Sequence, residues 1–258
     1  MKKLSTQTLL LVPTAFLVYV LLFKFYFSTC YNFLLSIVNE RLSSYFLTYL
    51  VVGLPIFAVS FLVFRGRFLS SLGFKGSFGY GFVFALISTA PMLVGYAIVY
   101  DFNYAISLKQ IVVGAIFAGF FEELYFRAFF FGLLFRFTKL GFVPALFLGA
   151  LLFGGFHLYQ SSDSGLMFGI FMTTILGAGF FAWLYVESNY NLWLIVNLHL
   201  LMNLSWMLFD AGDNALGPLL SNVFRALTIA SAILLMLQQK RKLQQDLVVK
   251  RDTLWFKK

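Results

Sequence analysis

The length of its apolar runs constrains this 258-residue chain more than any other feature. Several runs continue for about 18 residues or more, long enough for a helix to cross a hydrocarbon core of roughly 30 Å. They are continuous, without the apolar and polar alternation of a lipid-facing barrel, so helices are implied. Composition agrees: 61% of residues are hydrophobic, 20% aromatic and 11% charged, whereas a soluble domain is about a quarter charged. The expected fold class is all-α: a polytopic integral membrane protein of about eight transmembrane helices. The spans fall near residues 8–28, 44–64, 78–100, 109–135, 141–160, 165–186, 191–209 and 217–238. The last carries Pro218 near its start and Arg225 within it, so a later start or a bend is expected there. The N-terminal run is too long for a secretory leader and no small-residue cleavage site follows it, so it reads as the first span.

Charge sorts the loops. Lys2 and Lys3, then Arg65, Arg67 and Lys75, then Arg136 and Lys139, then the tail 239–258 fall on one side if the spans alternate. Glu40, Asp101, Asp163, Asp210 and Asp213 fall on the other. The positive-inside rule then makes both termini cytoplasmic. Glu187, on the inner side, has no basic neighbour and breaks the pattern. The net charge of +9 reads as topology plus attraction of the basic tail to anionic lipid, without nucleic acid. Cys30 is the only cysteine, which excludes an intrachain disulfide. No repeat or linker divides the chain, so residues 1–258 read as one integral domain. Gly165 with Gly169, and Gly177 with Gly179, read as small-residue spacings for close helix packing.

Against this background the stretch AGFFEELYFRAFFFG, residues 118–132, places Glu122, Glu123 and Arg127 inside a span. A charged residue at a span centre costs about 2.5 to 3.5 kcal/mol, so three cost on the order of 8 to 10 kcal/mol. Apolar neighbours offset this, but nothing in the balance rewards the charges, and intramembrane ionisable groups are functional by default. Glu123 and Arg127, four apart with the acid first, share a helix face and form an ion pair. Glu122 lies about 100° further round an α-helix and points elsewhere. A buried polar clasp of all three is the purely structural alternative.

The chain's two histidines also fall within or at the edge of spans. FGGFH puts Phe153 and His157 four apart, and HLLMN does the same for His199 and Asn203. Either histidine alone is as readily explained by a hydrogen bond between helices. A carboxylate with two histidines is a working set for activating water: the acid as general base, a histidine sharing the proton, His199 and Asn203 binding an oxyanion. The same set, Glu122, His157 and His199, also has the composition of a metal site with one position open for water.

Together EELYFR, FGGFH and HLLMN resemble the motifs EExxxR, FxxxH and HxxxN of the CPBP family, the CAAX proteases and bacteriocin-processing (Abi) enzymes. The recognisable core is 105–210. The resemblance implies a type II CAAX prenyl endopeptidase-like intramembrane protease with an all-helical fold of roughly eight spans and an active site in a cavity open to one side of the membrane. It implies that Glu122 activates water with His157, that His199 and Asn203 support the oxyanion, and that Glu123 and Arg127 form the supporting pair. Members are commonly labelled metalloproteases, and a metal-free, glutamate-dependent mechanism is also proposed for the group. The cofactor is thus a divalent metal such as zinc, or none. The expected partners are a peptide or membrane-protein substrate and the lipid bilayer, and the short loops resemble the bacterial branch, in a cytoplasmic membrane.

Two other classes remain: a proton-coupled transporter, which also uses intramembrane carboxylates and histidines, and a non-catalytic immunity or scaffold protein. The spans also carry a geometric tension. Glu122 lies mid-span and His157 near a span end, a mismatch of about 10 Å at about 1.5 Å per residue. A tilt, a kink at Gly154 and Gly155, or a later start to the fourth span would close it.

Overall fold

The computed structural model describes residues 2–257. Among the described residues nine helices carry the fold: α1 (Lys2–Val38), α2 (Arg41–Val52), α3 (Leu54–Phe64), α4 (Phe78–Val99), α5 (residues 108–137), α6 (Phe142–Phe156), α7 (Ser164–Glu187), α8 (Leu192–Leu208) and α9 (Leu219–Lys242). Among the described residues the only β pairing is an isolated antiparallel bridge between Leu140 and Phe256. Six helices are long and apolar enough to span a membrane, namely α1, α3 with the turn after it, α4, α6 with its following turn, α7 and α9. The all-helical, polytopic class is therefore the observed one. α8 is apolar over 17 residues, and α5 holds the motif charges.

Local sequence sets the helix ends. Ser77, Asp163 and Asn191 cap α4, α7 and α8 by accepting from Tyr80, Leu166 and Trp193 backbone N–H groups, which satisfies donors that a helix start otherwise leaves open. Ser107 and Gln110 form a reciprocal capping box at the start of α5. The expected second span, 44–64, is broken at Gly53, with a proline just inside the following helix. The Tyr125 side chain fills the break: its hydroxyl donates to Tyr49 O at 2.7 Å and occupies the space a Cβ on residue 53 would need. Pro218 ends up as the N-cap of α9, so the eighth span starts immediately after it.

α4 packs between α8 and α9, α6 packs on α7, and α1 lies against α2 and α3. α5 runs through the middle; every residue from Glu123 to Phe135 is buried. Of the glycines the spacing singled out, Gly169 packs closely, on the Leu216 side chain, while the close approaches to a neighbouring helix backbone are made elsewhere. A Cβ on Gly81 would meet the Leu194 backbone at 2.7 Å, and one on Gly119 would meet Leu200 N at 3.0 Å. Gly177 faces open space and Gly165 only the Asp163 side chain. The expectation for these pairs is corrected: close packing follows where backbones cross, which spacing along one helix does not reveal.

The basic loops gather at one end of the bundle. Arg136 Nη1 donates to Ser71 O at 2.9 Å and its guanidinium lies 4.1 Å from the Tyr190 ring centroid. Glu187, the exception in the charge pattern, is buried and paired with Lys240 at 3.1 Å, and it accepts from Val248 N and Val249 N. The tail after α9 folds back so that the carbonyls of Thr253, Leu254 and Trp255 receive the N–H groups of Phe142, Val143 and Gly141. These are open donors at the start of α6, capped by backbone where no side chain caps them. The end of the tail is thus docked on the protein: its carbonyls accept from the open N–H groups of α6, and its Val248 and Val249 N–H groups donate to Glu187.

Candidate active site

α5 is one continuous helical path in which α-helical turns alternate with π-helical stretches, Val112–Phe117 and Glu123–Phe131. π-helical segments bond i to i+5, wind more residues per turn than an α-helix, and are frequent at functional sites. Glu122 closes an α-helical segment and Glu123 opens a π-helical one. The angular separation between their side chains is correspondingly smaller than in an α-helix. Glu122 faces His199 on α8, away from Arg127, and what the expectation did not include is that Glu123 meets the same imidazole at its other nitrogen. Glu123 Oε1 lies 2.7 Å from His199 Nδ1, and Glu122 Oε2 lies 3.9 Å from His199 Nε2. The crossing at Gly119 brings α5 and α8 close enough for this.

Glu123 has no exposed side-chain surface, while Glu122 keeps 28%. Glu123 Oε2 is 3.4 Å from Arg127 Nε, within ion-pair reach but without completed hydrogen-bond geometry, since both atoms are buried and unbonded. Arg127 is further held by the Phe153 ring, whose centroid is 4.1 Å from its Cζ, a favourable arrangement for a desolvated guanidinium. Glu123 thus has two partners, and the one on α8 was absent from the sequence reading. His199 Nδ1–H donates to Glu123 Oε1, and in the neutral imidazole Nε2 then carries the lone pair, facing Glu122. His157 is oriented in the same sense. Its Nδ1 is 2.7 Å from Phe153 O, an oxygen that can only accept, so Nε2 again carries the lone pair.

Asn203, one turn beyond His199, donates from Nδ2 to Gly114 O at 3.0 Å, which leaves its second amide hydrogen uncommitted. Glu122, His157, His199 and Asn203 all line one cavity of about 990 Å³, with Arg127 in its wall. His157 stands at the end of α6. The α-helix stops at Phe156, His157 turns into a short 3-10 segment, Leu158–Gln160, and Phe153 packs on Phe126 of α5 at 5.2 Å between centroids.

The two histidines, each donating Nδ1–H to an oxygen, have the tautomers of metal ligands. However, among the described residues no three His, Cys, Asp or Glu side chains are grouped to hold a metal ion. Glu122, His157 and His199 as they stand do not make a ligand set. What the arrangement offers on its own is proton transfer: a half-buried carboxylate 3.9 Å from the His199 imidazole, with His157 in the wall of the same cavity.

Sequence reasoning missed Arg225 and Trp206 in this cavity. Arg225 stood out only as a charge within a span, a signal that gives no partner. Residues 104–205 match the family model described as type II CAAX prenyl endopeptidase Rce1-like. No curated protein matches the chain, nor does any solved structure. The matched segment contains all three motifs, and over it the chain is similar to the type II CAAX prenyl endopeptidase Rce1-like family.

Proposed function

We propose that the protein hydrolyses a peptide bond within the membrane using a water molecule activated by Glu122. The observation that carries this reading is the 3.9 Å between Glu122 Oε2 and His199 Nε2 at the wall of a cavity large enough for a peptide. That separation is too long for a direct hydrogen bond and suits a shared water.

Glu122 takes a proton from the water as its oxygen bonds to the scissile carbonyl carbon, and the carbonyl π electrons move onto oxygen. Asn203 Nδ2–H donates to this oxyanion, as does His199 when Glu122 shares the water's proton with its Nε2. Glu123 stabilises the imidazolium through Nδ1, as a buried carboxylate does in hydrolytic triads, and is itself held by Arg127. His157 Nε2 accepts from the incoming water and orients it. When the intermediate collapses, the C–N bond breaks, and Glu122 returns its proton to the leaving nitrogen, which departs as an amine beside the new carboxyl group.

In this reading the chain is a single integral domain, both termini are cytoplasmic and about eight helical segments cross the bilayer. The substrate is a peptide or membrane protein of a bacterial cytoplasmic membrane. Gln160, Asp213 and Asn214 continue the cavity lining at the end of the bundle away from the basic loops, so the positive-inside rule puts its mouth on the outer side. The deciding experiment is cleavage of peptide pools by the purified protein in nanodiscs. Activity lost in Glu122→Gln with unchanged thermal unfolding supports the reading; cleavage retained by that variant overturns it, and proton-coupled flux that survives it would favour a transporter.

A further inference from the structure

Tyr49 lines the same cavity as Glu122 and His157, yet it stands on α2, outside the three motifs and outside the segment that the family model matches. Its place against α5 is fixed by two contacts. The Tyr49 ring stacks on Phe121, with centroids 4.5 Å apart and planes within 6°, and the Tyr49 carbonyl accepts from the Tyr125 hydroxyl at 2.7 Å. These contacts fall on the residue before Glu122 and on the residue three after it. Phe23 and Phe27 of α1 also touch the ring, at 6.0 and 5.1 Å between centroids. Ring and carbonyl therefore serve the packing of α1, α2 and α5. The hydroxyl does not: it is neither hydrogen-bonded to another described residue nor sealed from the cavity.

Glu122 lacks what that hydroxyl offers. An ionised carboxylate only accepts hydrogen bonds, and the neutral imidazoles of His199 and His157 turn a lone pair, not an N–H, into the cavity at Nε2. Arg127 is committed to Glu123 and to the Phe153 ring, and Arg225 to the Trp206 ring and Ala215 O. Of the ionisable side chains around the Tyr49 phenol, Glu122 acts on it most strongly, ahead of Tyr45 and Tyr159. No direct hydrogen bond joins Tyr49 to Glu122, and polar groups held beyond direct contact in a roomy cavity are bridged by a single water at little cost. We propose that Tyr49 is a positioning residue: its hydroxyl donates, through one water, to the Glu122 carboxylate oxygen that does not face His199. The carboxylate is thereby held with its other oxygen turned to the reacting water. This inference deepens the endopeptidase reading and rests on it.

Removing the hydroxyl alone separates this role from a structural one, in the full-length protein in nanodiscs. Tyr49→Phe keeps the ring on Phe121 and the carbonyl that Tyr125 needs, so melting should stay within a few degrees of the unsubstituted protein. Two measurements read the positioning. Infrared difference spectra against Glu122→Gln isolate the carboxylate stretching band of Glu122, and that band should shift in Tyr49→Phe because a hydrogen bond to the carboxylate is lost. In cleavage of peptide pools, kcat should fall about 10-fold, the effect of one hydrogen bond that bears on the reacting groups, while KM stays within about twofold because no substrate contact is removed. Tyr159→Phe takes a hydroxyl from another tyrosine of the cavity, one that is 85% exposed, and should change neither the band nor kcat. A merely structural Tyr49 hydroxyl would lower the melting temperature and move kcat and KM together. A band that stays in place, an unchanged kcat in a protein that cleaves, equal effects from Tyr159→Phe, or a large fall in melting temperature overturns the proposal. The two readings fail separately. A band shift in a protein that cleaves no peptide defeats the hydrolase reading and leaves the Tyr49 contact standing; cleavage with neither band nor kcat altered defeats the Tyr49 role alone.

Discussion

Glu123 and His199, 76 positions apart, meet through Oε1 and Nδ1 at 2.7 Å, and this contact joins the charged motif of α5 to the histidine motif of α8. Glu123 is also the partner of Arg127, so one buried carboxylate serves both the stability of the bundle and the orientation of an imidazole beside Glu122. The two services separate experimentally.

Glu123→Met leaves Arg127 buried without its counter-charge, a loss of about 3–5 kcal/mol, and removes the acceptor that holds His199 Nδ1. The double variant Glu123→Met/Arg127→Met should recover most of the thermal stability, because no unpaired charge remains, yet stay inactive because His199 is still unheld. Melting in detergent and peptide cleavage on the same preparations read the two effects. Activity restored along with stability would remove Glu123 from the site.

Glu122 carries 28% exposure and no structural partner closer than 3.9 Å. Glu122→Gln should therefore melt within a few degrees of the unsubstituted protein while cleavage falls by about 10²-fold or more, the range for removing a general base. A large drop in melting temperature would show that Glu122 supports the fold instead.

Gly119 is where α5 and α8 cross. A Cβ there would lie 3.0 Å from Leu200 N and 3.2 Å from Leu200 Cα, and backbone cannot swing aside as a flexible side chain can. Gly119→Val should push the helices apart, and displacements of about 1 Å in a catalytic set cost about 10²-fold in rate. Gly79→Ala, which meets nothing within 4 Å, is the control and should leave cleavage rates unchanged.

Glu187 holds the C-terminal segment through Lys240 and two backbone N–H groups. Glu187→Gln should destabilise by about 3–5 kcal/mol, since Lys240 is left buried and unpaired, and should increase trypsin cleavage after Lys250 and Arg251. Asp252→Asn removes only an exposed contact of 4.0 Å and should alter neither, because exposed pairs contribute little.

The sequence by itself determined the membrane class, the all-helical fold, the approximate position of most helices and the motif residues that line the cavity. Each is a local property, since a run of apolar residues specifies a helix in lipid whatever it packs against, and a charge inside such a run is conspicuous without knowing its partner. Only the tertiary structure decided the partners. It gave Glu123 a second contact, turned Glu122 toward His199 through a π-helical stretch, broke the second span around Tyr125, neutralised Glu187 with Lys240 and placed Arg225 beside the site. Such choices depend on which faces cross and at what angle, and side-chain packing between distant segments sets those crossings, so hydropathy and helical period carry no record of them.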